Sequence, residues 1–460
     1  MQLNFLVLIA IWLLIIGAVA VLSWKRREQN VGGVLAFVIF LAMIHLLQAL
    51  LYIHPSYMPH FASETILLGF TEATIALVCF AAGAVIVYPA LRRFNRKFQT
   101  QTIPAPQIPF NGQDKLAYIY TAIGIGSYFF LGIVLRGIPT AQAFTSSVTR
   151  LWHVGSMIWL WEILHGQKTV RGLPILAGIL LLWPILTVVR EGFLGFGLVP
   201  TIVVLLFIAL RVRRVWLLII PSIVIGYLVL SIIAVYFQSR TAVRAIVWEG
   251  EYTQSPLEDV YNTLNFNFRW FDPNDPSQLS WIDGRVGYNY PLGRVIERVD
   301  QEVVQLGNGR TLENAVLMLI PRILWPGKPI SVGGSELYQY YTGIPIIGGT
   351  SVGLSPVLEL YANYKTLGVV IGFLVLGIAM ATLDYAAAGA LQQGDNLKFA
   401  VWMLPVFGLI LVQDDIFTVV GAAVAGILSA VIVNMVIRTT ITIRERKKTP
   451  PLSPRVWRNP

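Results

Sequence analysis

Cysteine occurs once in this chain, at Cys79, which rules out an intrachain disulfide and the thiol-rich zinc patterns. Histidine is scarce too: of five residues, none lies between Gln238 and Lys365. With no histidine cluster, no metal is expected. There is no P-loop, no GxGxxG after a strand and no HExxH. Any reaction must therefore draw its energy from the substrate rather than from a bound nucleotide, and no cofactor is expected. Gly349-Thr350-Ser351-Val352-Gly353 fits GxSxG but has no strand before it and no histidine partner in the loop, so it reads as a glycine-rich turn. Asp272-Pro273-Asn274-Asp275-Pro276 lacks the glycine and distal glutamate of a calcium loop and reads as an Asx-turn. Charge is thin as well. Asp, Glu, Lys and Arg make up 13% of the 460 residues, where soluble proteins carry about 25%. The net charge of +10 does not indicate nucleic acid, because its distribution follows membrane topology.

What the chain has in quantity is apolar sequence, 56% of its residues, in runs long enough to cross ~30 Å of hydrocarbon as helices. About eleven spans are expected, near 3–23, 31–53, 66–90, 117–135, 148–165, 173–190, 192–210, 215–237, 367–389, 399–413 and 417–438. The first has no basic residues before it and is too long for a signal segment. Lys25, Arg26 and Arg27, Arg92 and Arg93, Lys168 and Arg171, Arg211, Arg213 and Arg214, Lys398 and Arg444 to Lys448 then all fall on one side. By the positive-inside rule that side is the cytoplasm. The expectation is an all-α polytopic membrane protein of four parts: a bundle over 1–237, a large, mainly helical extracytoplasmic loop over 238–366, closing helices over 367–438 and a basic cytoplasmic tail over 439–460.

Within the loop, Leu292, Val295, Ile296, Val299, Val303 and Leu306 recur at helical spacing opposite Arg294, Glu297, Arg298, Asp300 and Glu302, an amphipathic helix. Thr311 to Leu324 reads as a re-entrant or membrane-resting helix stopped by Pro326. Small residues at helical spacing, Gly368 with Gly372 and Gly421 with Ala425, are expected to let helices approach closely.

Ionisable groups inside a membrane are costly and mark function by default. Here most gather toward the outer side: His45, with the polar Gln48 near it, Glu72, Arg150, His153, Arg190, Glu191, Asp414 and Asp415. A cavity open to the outer leaflet accounts for them. The competing role is snorkelling at helix ends for residues such as Arg150, Asp414 and Asp415, and for Glu72 and His45 pairing with each other or with a backbone carbonyl. The loop is rich in arginine, whose planar fork suits phosphate. Arg240 and Arg244 lie one helical turn apart and Arg322 and Lys328 flank a proline-stiffened segment, so these four and Arg190 are the expected anion contacts. Pairing with loop carboxylates is the competing role.

Two stretches carry a family likeness. Pro321-Arg322-Ile323-Leu324-Trp325-Pro326-Gly327-Lys328-Pro329 resembles the "PR-x-x-WP-x-KP" element of bacterial oligosaccharide repeat-unit polymerases, the Wzy-type O-antigen and exopolysaccharide enzymes. Thr350-Ser351-Val352-Gly353-Leu354-Ser355-Pro356, then Leu358-Glu359-Leu360-Tyr361-Ala362-Asn363-Tyr364 and Gly368, resembles the same family's "S…GE-x-Y-x-NFG-x-xG". Leu358 replaces its usual glycine, Tyr364 its phenylalanine, and Lys365 stands where glycine is usual. The likeness covers about 50 residues, the rest agreeing in architecture. It implies a GT-C-like bundle in the bacterial inner membrane, with the active site facing outward. The growing glycan would be transferred from a polyprenyl-diphosphate-linked donor to a lipid-linked acceptor, alongside membrane lipid and a chain-length-regulating co-polymerase. The arginines would then stabilise the departing diphosphate. Glu359 is the first candidate for the base and Glu72 the second, with Tyr361 contacting substrate. Competing classes are an O-antigen ligase-like transferase, which usually has a loop histidine, a lipid-glycan flippase, and a structural partner in an export complex.

Overall fold

The computed structural model describes residues 1–98, 115–131, 139–168, 170–214, 216–249, 255–318, 325, 334–346 and 352–448. Every regular element among them is helical. In chain order these are α1 (Gln2–Lys25), α2 (Gly33–Ile53), α3 (Ser63–Ala82), α4 (Tyr88–Phe98), α5 (Leu116–Gly126), α6 (Pro139–Thr149), α7 (Leu151–Leu164), α8 (Leu173–Glu191) and α9 (Gly195–Arg211). Then come α10 (Trp216–Arg244), α11 (Pro256–Phe266), α12 (Pro276–Val286), α13 (Asn289–Asp300), α14 (Arg310–Met318), α15 (Gly334–Thr342), α16 (Pro356–Gln392), α17 (Asn396–Leu409) and α18 (Ile416–Lys448).

Seven helices among the described residues are long and apolar enough to cross a membrane, and three shorter apolar ones, Leu116–Leu131, Gly195–Arg211 and Asn396–Leu409, lie among them. Large aliphatic side chains point outward along them, Leu14 72% and Leu181 69% exposed. A contiguous apolar belt of that kind is what lipid covers. This is an all-helical membrane protein.

The helices pack through aromatic and small residues. The fully buried Trp12 of α1 donates its indole N–H to Thr74 of α3 at 2.8 Å, and Phe37 of α2 stacks on Phe80 at 4.1 Å. A π-turn, Gly83–Val87, joins α3 to α4. At Gly83 an added Cβ would overlap the Leu374 carbonyl oxygen, and at Gly377 the Phe80 carbonyl oxygen, so two glycines let α3 and α16 touch backbone to backbone.

At one end of the bundle sits the amphipathic helix read from the sequence, α13. It buries Leu292, Val295, Ile296 and Val299 against α3, α16 and α15, and so roofs the bundle. It stops at Asp300, earlier than the apolar spacing implies, because Glu302 takes a positive φ of 57°. The roof is close-fitting: a Cβ on Gly69 of α3 would overlap the Asn289 carbonyl oxygen, and one on Gly293 the Thr65 carbonyl oxygen. Of the expected re-entrant segment, α14 lies against α18 and α16, while 319–324 falls outside the described residues.

The two helices flanking the loop run further than hydropathy alone marks. α10 continues to Arg244, carrying Arg240 and Arg244, and α16 begins already at Pro356. α16 is not one rod. It bends at Tyr364 and Lys365 so sharply that a Cβ on Gly368 would sit 2.5 Å from the Leu360 carbonyl oxygen. Gly368 and Gly372 thus admit the folded-back arm of their own helix rather than a neighbour. Gly421 faces open space and serves no close approach, which corrects the sequence expectation for it.

Candidate functional site

The first arm of α16 starts with a sequence-encoded cap. Ser355 accepts the Leu358 N–H at 3.5 Å, and Pro356 occupies the first turn. One turn on, Glu359 is 2% exposed, and its Oε2 accepts the N–H of Ile416, the first residue of α18, at 2.6 Å. Unpaired N–H groups and the helix dipole make that end a good seat for a carboxylate. A further turn on, Asn363 donates to Thr311 Oγ1 at 2.7 Å and to the Glu359 carbonyl at 2.8 Å, and accepts from Gly309 N–H at 2.9 Å. Glu359 and Asn363, four residues apart, therefore hold the beginnings of α18 and α14 to one helix face.

Then comes the bend. Lys365 has φ 52° and ψ −153°, a backbone region that glycine enters freely and L side chains enter only under strain. Its amine reaches Asp300 of the roof at 3.0 Å. Past the bend, Thr366 donates to Glu72 Oε2 at 3.0 Å. The other oxygen of Glu72 is buried without a hydrogen-bond partner. The Tyr361 phenol, buried beside it, lies in the field of Asp300 and Glu72. Glu72 and Tyr361 are thus brought together; Glu359 sits on the α18 side of the same arm.

The turn from α17 to α18 adds two more acids. Asp415 accepts the Thr418 N–H at 2.7 Å and caps α18. Burial and the neighbouring Asp415 push the Asp414 carboxyl up to about 6, against the pull of Arg150. Tyr288 donates to the Gln413 carbonyl at 3.2 Å and ties this turn to the roof. Arg150, Asp414 and Asp415, spread over three sequence positions as helix-end charges, form one electrostatic group next to Glu359.

The arginines gather elsewhere on the same end. Arg190, at the end of α8, lies over the Tyr128 ring at 4.5 Å and the Phe129 ring at 5.5 Å. Arg244 lies over Phe193 at 4.4 Å and Trp248 at 4.6 Å. Trp248 donates to the Glu191 carbonyl at 3.0 Å and Tyr236 to the Gly192 carbonyl at 2.7 Å, so both arginines flank the α8–α9 turn. Arg240 is one turn earlier on α10. Arg322 and Lys328, with the rest of their element except Trp325, lie outside the described residues, as does most of the GxSxG match.

His45 and Glu72 do not pair with each other. His45 Nδ1 meets Asn289 Oδ1 at 2.6 Å, Asn289 Nδ2 donates to the His45 carbonyl at 2.8 Å, and Gln48 accepts the Asn289 N–H at 2.8 Å. Gln48 in turn donates to Asp283 at 2.6 Å, as do Tyr52 at 3.3 Å and Tyr57. Burial raises the Asp283 carboxyl from its ordinary value, and these three donors oppose the rise. This network rivets the loop to α2 and is structural. The Asx-turn is present as read: Asp272 accepts the Asn274 N–H at 2.8 Å, and Asp275 caps α12.

No family model, no curated protein and no solved structure matches the chain.

Proposed function

We propose that the chain is a Wzy-type polymerase of lipid-linked oligosaccharide repeat units. In this reading α7 joins the seven long and three shorter apolar helices as an eleventh span. The basic end faces the cytoplasm of a bacterial inner membrane, and the end bearing α11 to α15 faces outward. The observation that carries the reading is the backbone at Lys365. The polymerase element has glycine at that position, and here the chain adopts a conformation suited to glycine even with lysine in its place. The bend also folds back the arm that holds Glu359, Tyr361 and Asn363, the residues of the element that match.

The chemistry is displacement at an anomeric carbon. The acceptor hydroxyl oxygen forms a bond to that carbon while the bond to the diphosphate oxygen breaks, its electron pair leaving with the polyprenyl diphosphate. Arg190, Arg240 and Arg244 are suited to the charge gathering on that leaving group. Aromatic faces beneath Arg190 and Arg244 hold their guanidinium planes in place. Of the two carboxylates, Glu72 keeps an oxygen without a partner and is the better placed to receive the hydroxyl proton. Glu359, engaged with α18, becomes a positioning residue.

The experiment is a purified protein in vesicles, given a lipid-linked repeat unit and no nucleotide. A ladder of longer glycans is expected. Glu72→Gln should reduce it by about 10²–10⁴-fold, the usual worth of a general base. Glu359→Gln, whose amide oxygen still accepts the Ile416 N–H, should retain most of it. Lipid crossing the bilayer with no covalent growth would instead make the protein a transporter.

A further inference from the structure

At the basic end, remote from the site above, α1, α4 and α16 enclose a partly open cavity of about 290 Å³. It is walled by Arg26, Asn30, Arg92, Arg93, Asp384 and Tyr385, with apolar side chains of α1 and the π-turn completing it. Three arginines and one carboxylate line it, and that carboxylate is already committed. Asp384 accepts the N–H groups of Val31 at 2.7 Å, Gly33 at 3.1 Å and Val34 at 3.3 Å, capping α2 from 350 to 353 residues away. Arg92 is pinned flat over the Tyr385 ring, 3.3 Å from its centroid, which fixes the direction of its donors. Asn30 uses its amide N–H groups on the Ser23 and Arg26 carbonyls, at 2.9 and 2.8 Å, while its Oδ1 is buried with no partner.

The cavity therefore offers an excess of positive charge, a fork geometry matched to phosphate, and one acceptor that needs a donor. Val19 and Leu22 give the cavity an apolar wall along α1. Its volume, at the lower limit of small-molecule sites, fits a headgroup rather than a sugar chain. We propose that this cavity binds a phosphate ester bearing a neighbouring hydroxyl or ammonium donor, with the phosphate on Arg26, Arg92 and Arg93 and the donor on Asn30 Oδ1. A membrane phospholipid with a glycerol or ethanolamine headgroup and a small soluble phosphate ester share this chemistry. The inference does not depend on the transferase reading.

Native mass spectrometry of the full chain from micelles doped with single phospholipids tests it. The wild type should retain one phosphatidylglycerol or phosphatidylethanolamine molecule, and much less phosphatidylcholine, whose trimethylammonium cannot donate to Asn30. Each juxtamembrane cation is worth about fivefold in affinity for an anionic headgroup, so Arg26→Gln alone should lower retention by about that factor. Arg26→Gln/Arg92→Gln/Arg93→Gln should lower it by about a hundredfold. Arg26 and Arg93 are exposed, so their single variants keep the fold, and Arg294→Gln at the far end should change nothing. Displacement of the lipid by free glycerol 1-phosphate at equal concentration would support the site and assign it to a soluble ester. Equal retention of phosphatidylcholine, or retention unaffected in the triple variant, would overturn the proposal.

Discussion

Lys365 occupies a conformation that costs a non-glycine residue about 1–3 kcal/mol, and the exposed contact with Asp300 returns at most about 1 kcal/mol. Glycine would remove the strain while adding about 0.5–1 kcal/mol of chain entropy to lose. Lys365→Gly is therefore expected to stabilise the protein by about 1 kcal/mol in detergent melts, whereas Lys365→Ala keeps the strain and gives no gain. Asp414 provides a pH test. Its carboxyl is raised to about 6, so the native protein binds more protons than the unfolded chain between about pH 4 and that value. The stability from this group is fully present below the lower value and is lost as pH rises through about 6. Melting temperatures over that window should fall less steeply for Asp414→Asn than for the wild type.

Among elements, the roof on α3 depends on Gly69 and Gly293, each facing a carbonyl of the other helix. Gly69→Ala should force the pair apart and destabilise the protein by about 1–3 kcal/mol, read as a lowered melting temperature with membrane insertion intact. Much of this level was legible in the sequence. Apolar runs marked the helices and the 3.6-residue spacing marked α13, but the span after the loop was expected from near 367, and the first arm of α16, from Pro356, was missed. Glu359 was singled out through the family likeness; that it shares a helix face with Asn363 is seen in the structure. Their partners were not legible, because partners come from packing rather than periodicity. Glu359 reaches Ile416, 57 residues on, Asn289 reaches His45 across 244, and Asp384 caps α2 from the other end of the chain. His45 and Glu359 were marked as polar groups of interest, but what they would meet was not. The same limit let Gly421 pass for a packing glycine when it faces open space.

For the whole molecule, one architecture places different chemistry at its two ends. The basic end holds a committed carboxylate and three arginines round a cavity. The opposite end carries a roof, a glycine-like bend, two buried glutamates and arginines stacked on aromatic rings. A lipid-borne substrate would reach the second end from within the bilayer, with its diphosphate near the α8–α9 turn and its sugar toward Glu72. The transferase account requires that each new glycosidic bond frees one lipid diphosphate. The most direct measurement is that ratio, taken with purified protein and a lipid-linked repeat unit in the absence of nucleotide. The account predicts one polyprenyl diphosphate released per bond formed, with both products lost together in Glu72→Gln. Glycan growth without diphosphate release, or diphosphate released with no new bond, would contradict it.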